Sequence, residues 1–189
     1  CGRTATLWWR DDDAVAVTAA LERLLEVHRH SGVAPAIASI PAHAEEGLAE
    51  KLEHYPSIAV LQHGYAHKNY ANQGERAIEL GGDRRREHVV AELKKGWGRL
   101  ATLFPQRLLP VMVPPWNRIS PELFPELCAL GFRALSAFAP RARREAIAGL
   151  LQANCHADLI DWRNGRRFRG EDRTLDQICT HLEARRSGA

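Results

Sequence analysis

Six short apolar runs punctuate the chain, and in the stretches between several of them the hydrophobic residues recur at helical spacing. Residues 4–10 (TATLWWR) are β-branched and aromatic and predict a strand that runs into Asp11, Asp12 and Asp13. Leu21, Leu24, Leu25 and His28 then mark a helix opened at Val17-Thr18, with Thr18 placed to cap it and Gly32 to end it. Residues 36–40 form a second strand closed by Pro41, and residues 44–53 suit a charged surface helix. Residues 57–61 (SIAVL) form a third strand that delivers the chain into Gln62-His63-Gly64. A polar, glycine-bearing loop follows over 64–82, longer than most connections in a domain, and loops of that kind are more often functional. A long helix is expected from a cap at Asp83, its buried face marked by Val89, Val90, Leu93, Trp97, Leu100 and Phe104. Residues 108–113 (LLPVMV) give a fourth strand ending in Pro114-Pro115-Trp116-Asn117-Arg118, and Ser120-Pro121-Glu122 starts the next helix. Residues 134–137 and 155–160 read as fifth and sixth strands, and residues 173–186 as a closing helix.

Alternation of strand and helix argues for an α/β fold with a parallel sheet covered by helices, closed as a barrel or open as a doubly wound sheet. Asp11 to Asp13, His63, Pro114 to Arg118 and Asp161-Trp162 all follow the carboxyl ends of expected strands. Active sites of parallel α/β folds are built on that edge.

At 189 residues, with 45% apolar and 26% charged residues, the chain suits one globular domain spanning 1–189 and neither disorder nor a membrane span. The formal charge of +3 is modest. Its basic excess, much of it in Arg141, Arg143, Arg144, Arg163, Arg166, Arg167, Arg169, Arg173, Arg185 and Arg186, is read as a solvated surface, and no nucleic-acid or membrane partner is expected. Cys1, Cys128, Cys155 and Cys179 lack CxxC spacing, so buried reduced thiols are expected rather than a zinc knuckle. The only methionine is Met112, so the sequence reads as a processed or excised piece. A lipid-bearing Cys1 would leave almost no linker before the first strand, and the cytoplasm is the default location.

His63 and His67 are the one i, i+4 histidine pair among nine histidines, and such a pair on a tight loop can direct two imidazoles at one ion. His28, His30, His43, His54, His88 and His156 read as surface or satisfied core residues. The bland reading of the aspartates is a solvated capping turn. Against it stands a strand of Leu7, Trp8 and Trp9, expected to be buried and to end at the rim of the core. Side chains alternate along a strand, so at most two of the three carboxylates can face one cavity unless the strand bends. The Pro114–Arg118 turn offers an aromatic wall, an amide and a guanidinium, where the bland alternative is a loop brace. Asp161-Trp162-Arg163 supplies an aromatic platform of the kind that stacks on sugar rings.

Arg10-Asp11-Asp12-Asp13, His63-Gly64-Tyr65-Ala66-His67 and Pro114-Pro115-Trp116-Asn117 together resemble the polysaccharide deacetylase (NodB-homology) family over almost the whole chain. The resemblance implies a distorted (β/α)7-type barrel and a divalent metal, zinc by preference, held by Asp13, His63 and His67. It implies Asp12 as general base and removal of an acetyl group from an N-acetylated carbohydrate. A shift of one residue would nominate Asp11 and Asp12 instead; otherwise Asp11 is a bystander or brace. Trp116, Asn117 and Trp162 become substrate-binding candidates, and Asp161 the acidic residue that orients a catalytic histidine. The family's arginine before the proline turn is replaced by Val113, which makes Arg118 the candidate substitute.

The histidine acid of the family's last motif finds no match after a strand, since Ile178-Cys179-Thr180-His181 lies in a helical stretch. The last barrel strand and the acid are therefore expected beyond residue 189, with the domain incomplete at its carboxyl end. The alternative is a carbohydrate-binding or regulatory relative that keeps the barrel without the chemistry. A non-haem iron triad fits poorly, because such sites sit in antiparallel double sheets.

Overall fold

Six parallel strands lie side by side in the order in which the chain makes them. The computed structural model describes residues 4–187, and Cys1 lies outside that range. The strands are β1 (Trp9–Ala14), β2 (Pro35–Ser39), β3 (Ala59–His63), β4 (Leu108–Val113), β5 (Ala134–Leu135) and β7 (Leu150–Gln152), with β6 (Glu145–Ile147) antiparallel on the outer edge of β7. The sheet order is β1-β2-β3-β4-β5-β7-β6. A doubly wound sheet reverses direction at a switch point. This one never does, so right-handed crossovers carry the helices to the same face.

Those helices are α1 (Ala19–Ser31), α2 (Glu46–Glu53), α3 (Arg86–Leu103) and α4 (Phe124–Ala129). One core cluster joins Leu21 and Leu25 of α1, Leu48 and Leu52 of α2 and Leu100 of α3 to Ile37 and Val60 of the sheet. A second joins Val89 and Leu93 of α3 and Leu127 of α4 to Met112, Leu135 and Leu150. The opposite face holds a small cluster of Ala38, Leu61 and Val113. By strand alternation Leu61 shares its face with His63, and this inner face is where the polar chemistry collects. The result is an α/β fold of distorted (β/α)-barrel type whose sheet is not closed: β1 pairs only with β2, and β6 only with β7. No helix of the described residues is long and apolar enough to cross a membrane.

Several sequence expectations shift. The first strand begins at Trp9 and contains the aspartates instead of running into them, while Leu7 and Trp8 are exposed. Thr18 caps α1 as expected, accepting from Leu21 N at 3.1 Å, with Gly32 closing it at φ 72°. The cap position of α3 is Arg85, not Asp83, whose carboxylate instead accepts from Asn72. The sixth parallel strand is β7, not residues 155–160. Glu145 to Gln152 folds as a hairpin around Gly149 at φ 84°, and Cys155 makes only an isolated bridge to Phe138. Residues 160–168 form a separate two-stranded hairpin, β8 (Ile160–Asp161) with β9 (Arg167–Phe168), followed by α5 (Glu171–Ser187). The three described thiols are not fully buried: Cys128 and Cys155 are partly exposed and Cys179 is exposed.

Candidate metal centre

A β-bulge puts two neighbouring aspartates to separate uses. On β1, Asp11 pairs with Ile37 and Ala14 with Ser39, so three steps on one strand match two on the other. The surplus residue is Asp13, at φ 70°. By alternation Trp9 and Asp11 share one face of β1, and a cavity of about 420 Å3 bordered by all three aspartates opens between that strand and Leu21, Leu24 and Val27 of α1. Strict alternation would send Asp13 the same way. The bulge turns it to the carboxyl edge of the inner face instead and returns Ala14 to the helix side, where it packs on the first core cluster.

Asp13 Oδ1 lies 3.0 Å from His63 Nε2 and 3.3 Å from His67 Nε2. The three side chains offer one ligand atom each within 4.8 Å of one another. His63 is buried, and its Nδ1 donates to Val113 O at 2.9 Å. A carbonyl can only accept, so the neutral imidazole carries its proton on Nδ1 and presents a bare lone pair at Nε2. Two acceptors facing each other at 3.0 Å call for a cation between them. Ligands about 2.0–2.1 Å from one tetrahedral zinc are roughly 3.3 Å apart, so the spacing and the donor set both fit a divalent metal.

Asp12 faces Arg10. Arg10 Nε lies 2.8 Å from Asp12 Oδ1, and Nη2 donates to Oδ2 at 2.9 Å. Nη2 also reaches Asn117 Oδ1 at 2.9 Å, while Nη1 donates to Ser136 O at 2.9 Å and Ser136 Oγ at 2.6 Å. Arg10 therefore spans the inner face from β1 to the end of β5. The Nε contact is an ion pair by distance only: buried Asp12 Oδ1 has no hydrogen-bond partner among the described residues. Burial, reinforced by the charges of Asp12 and Asp13, pushes the Asp11 carboxyl up to about 6.

Of the remaining candidates, Trp116 packs against His67 with ring centroids 4.3 Å apart and planes tilted by 51°, and Asn117 reaches Asp12 through Arg10. Arg118 sits elsewhere, donating to Ala77 O at 2.9 Å, and it is Arg10 that accompanies Asp12. Asp161 on β8 accepts from Asn164 Nδ2 at 2.8 Å and lies 3.8 Å from Arg173 on α5. The Asn164 bond is the main cause holding its carboxyl below the ordinary value. Trp162 is 56% exposed, its Nε1 donating to Asp158. Non-glycine residues at positive φ cluster at the centre: Asp13, His67, Trp116 and Asn117 are four of the six among the described residues. Such backbone persists only where the surroundings over-determine it, and it gathers at functional sites.

Sequence reasoning missed Arg10 as more than a motif letter, and missed Ser136 and Glu79 altogether. Glu79 is fully buried and accepts from the Tyr65 and Ala66 amides at 3.1 and 2.7 Å. The one signal for it was the length of the 64–82 loop.

No family model matches the sequence, and no curated protein matches it. Solved structures do. A de-N-acetylase from Aggregatibacter actinomycetemcomitans superimposes with a TM-score of 0.64 at 10% identity, over 90% of this chain and 74% of its own. A Mycobacterium smegmatis protein assigned as a polysaccharide deacetylase does so with a TM-score of 0.61 at 14% identity, over 88% of this chain. The fold is that of the polysaccharide deacetylases. The chain spans 59% of the length of the M. smegmatis protein. A family 4 acetyl xylan esterase from Clostridium thermocellum, solved in complex with a cobalt ion, shares the deacetylase fold with a TM-score of 0.52 at 12% identity, over 94% of this chain and 83% of its own.

Proposed function

We propose that the protein is a metal-dependent hydrolase that removes an acetyl group from an N-acetylated sugar or polysaccharide, using water to break the amide C–N bond. The observation that carries this reading is a three-ligand cluster, Asp13, His63 and His67, beside a second carboxylate, Asp12, whose buried Oδ1 faces Arg10 but accepts no hydrogen bond among the described residues. The likeness to de-N-acetylase and deacetylase structures supports it.

Asp13 through Oδ1 and the two histidines through Nε2 are the residues that would hold a divalent ion, zinc by donor type. Such an ion, when bound, lowers the pKa of a water and polarises the acetyl carbonyl. The Val113 carbonyl keeps His63 in the tautomer that offers Nε2. Asp12 Oδ1 accepts the proton of the attacking water while Arg10 stops the carboxylate from swinging away. As the carbonyl carbon becomes tetrahedral, its oxygen gains negative charge. The Asn117 and Arg118 amides are taken by Pro114 and Pro115 carbonyls, whereas the Trp116 amide donates to none of the described residues and is the donor assigned to that oxygen. Breaking the C–N bond leaves the electron pair on nitrogen. Asp12 returns the proton there, giving acetic acid and a free amine, which then exchange the second proton to become acetate and an ammonium group. The Trp116 ring, the Asn117 amide and exposed Trp162 are the surfaces assigned to the sugar. Arg118 and Asp161 take no chemical step in this scheme, their hydrogen bonds lying elsewhere.

Acetate release from N-acetylglucosamine oligomers tests the proposal. It should need zinc and vanish in Asp12→Asn; equal release after exhaustive chelation would overturn it.

A further inference from the structure

Glu79 is a carboxylate with no business in a core by ordinary rules. It is fully buried, and among the described residues no lysine, arginine or histidine forms an ion pair with it. Arg84 comes near but donates to the Glu79 backbone carbonyl, at 3.1 Å, and spends its other arm on Glu92. Burying an anion without a cation is costly unless charge-assisted hydrogen bonds offset it. Here they come from one short segment: Oε1 accepts from Ala66 N at 2.7 Å and Lys68 N at 3.5 Å, and Oε2 from Tyr65 N at 3.1 Å.

Those three amides flank His67 on both sides, and His67 itself sits at φ 53°. The same carboxylate explains the glycine at 64. A Cβ there would fall 2.0 Å from Glu79 Oε2 and 2.6 Å from Pro115 Cγ. Gly64 has φ 53° and follows directly on His63. Glu79 thus grips the turn that separates the two histidines from within, while Pro115 closes on it from the opposite loop.

The geometry points to Glu79 as the positioning residue of the metal centre: its buried carboxylate fixes the strained 64–68 turn so that His67 Nε2 reaches the ion shared with His63 and Asp13. This rests on the metal-centre reading above. A closing bond from a neutral side chain would serve a plain loop; a charge gripping three consecutive-turn amides serves a loop that must hold an unfavourable backbone under load.

Zinc affinity, measured by competition with a chromophoric chelator, tests this without any substrate. Glu79→Gln keeps the shape but turns one acceptor into a donor facing N–H groups. It should weaken zinc binding roughly 10- to 100-fold while one ion per chain still binds at saturation. A core variant matched for loss of thermal stability, Phe132→Leu in the second cluster, should leave zinc affinity unchanged. Wild-type protein gives a second readout should Glu79→Gln not fold: zinc should slow hydrogen exchange at the Tyr65, Ala66 and Lys68 amides, because coupling between the clamp and the ion is reciprocal. Unchanged affinity in Glu79→Gln, equal weakening in Phe132→Leu, or zinc-independent exchange at those amides would overturn the role of Glu79. Failure of wild-type protein to bind zinc at all would instead remove the metal centre itself, and the clamp's purpose with it.

Discussion

Arg10 and Asp12 stand two residues apart on one strand, share its inner face, and meet through Nε to Oδ1 at 2.8 Å and Nη2 to Oδ2 at 2.9 Å. The arginine is held from the far side by Ser136 and from above by Asn117, so the carboxylate rests on a cation that cannot follow it if it rotates. Arg10→Lys keeps the charge but loses the planar fork. It should lower kcat for acetate release roughly 100-fold, since a misplaced reacting group of about 1 Å costs that much, with little change in KM or in zinc bound per chain. Arg10→Ala should also cost about 2–4 kcal/mol of stability, because Asp12 would be left largely buried without a partner. Full kcat in Arg10→Lys, normalised to bound zinc, would contradict this.

Asp11 predicts a pH dependence. Its folded pKa of about 6 lies above the ordinary 3.8, so its contribution to stability is fully present below 3.8 and is lost as pH rises through 6. Asp11→Asn removes that loss. In chelator the variant should match the wild type near pH 3.5 and exceed it at pH 8 by about 1–2 kcal/mol, a value reduced from the full shift for residual solvent exposure. Denaturant unfolding at the two pH values decides it, and equal stability at pH 8 would count against the account.

The opposite sign applies at the other end of the chain. His156 stacks on His181 of α5, ring centroids 3.5 Å apart at 14°. Partial burial lowers both pKa values, with Arg141 and Arg185 adding to the effect at each ring and His181 adding to it at His156. Neutral rings are favoured in the folded state, so this contribution is present above the ordinary value of 6.5 and is lost as pH falls below it. Helix α5 buries no residue fully, and its other ties are thin. Hydrogen exchange across 171–187 should speed up between pH 7.5 and 5.5, after correction for intrinsic rates, and the increase should shrink in His181→Gln. A pH-independent α5 would refute it.

Much of this architecture is legible in the sequence. Strands β2, β3 and β4 and helix α1 announce themselves through continuous apolar runs and a threonine cap, and His63-Gly64-Tyr65-Ala66-His67 shows its spacing on the page. Other features depend on distance. The partners that hold Arg10 in place, Asn117 and Ser136, lie 107 and 126 residues away, so nothing local distinguishes it from a surface cation paired with a nearby aspartate. Glu79 binds backbone amides only, and an amide leaves no mark in a sequence. Strand β7 is three residues long, too short for periodicity to register. The bulge at Asp13 decided which aspartate meets the histidines, and a non-glycine residue at positive φ gives no advance sign of itself.

The most direct test of the central claim is a cobalt(II) titration followed by visible absorption, in wild-type protein and in Asp12→Asn, Asp13→Asn, His63→Ala and His67→Ala. One equivalent should develop d–d bands in the wild type and in Asp12→Asn, and the other three variants should lose them or need far more metal. Bands that survive in Asp13→Asn and disappear in Asp12→Asn would contradict the assignment of ligand and base.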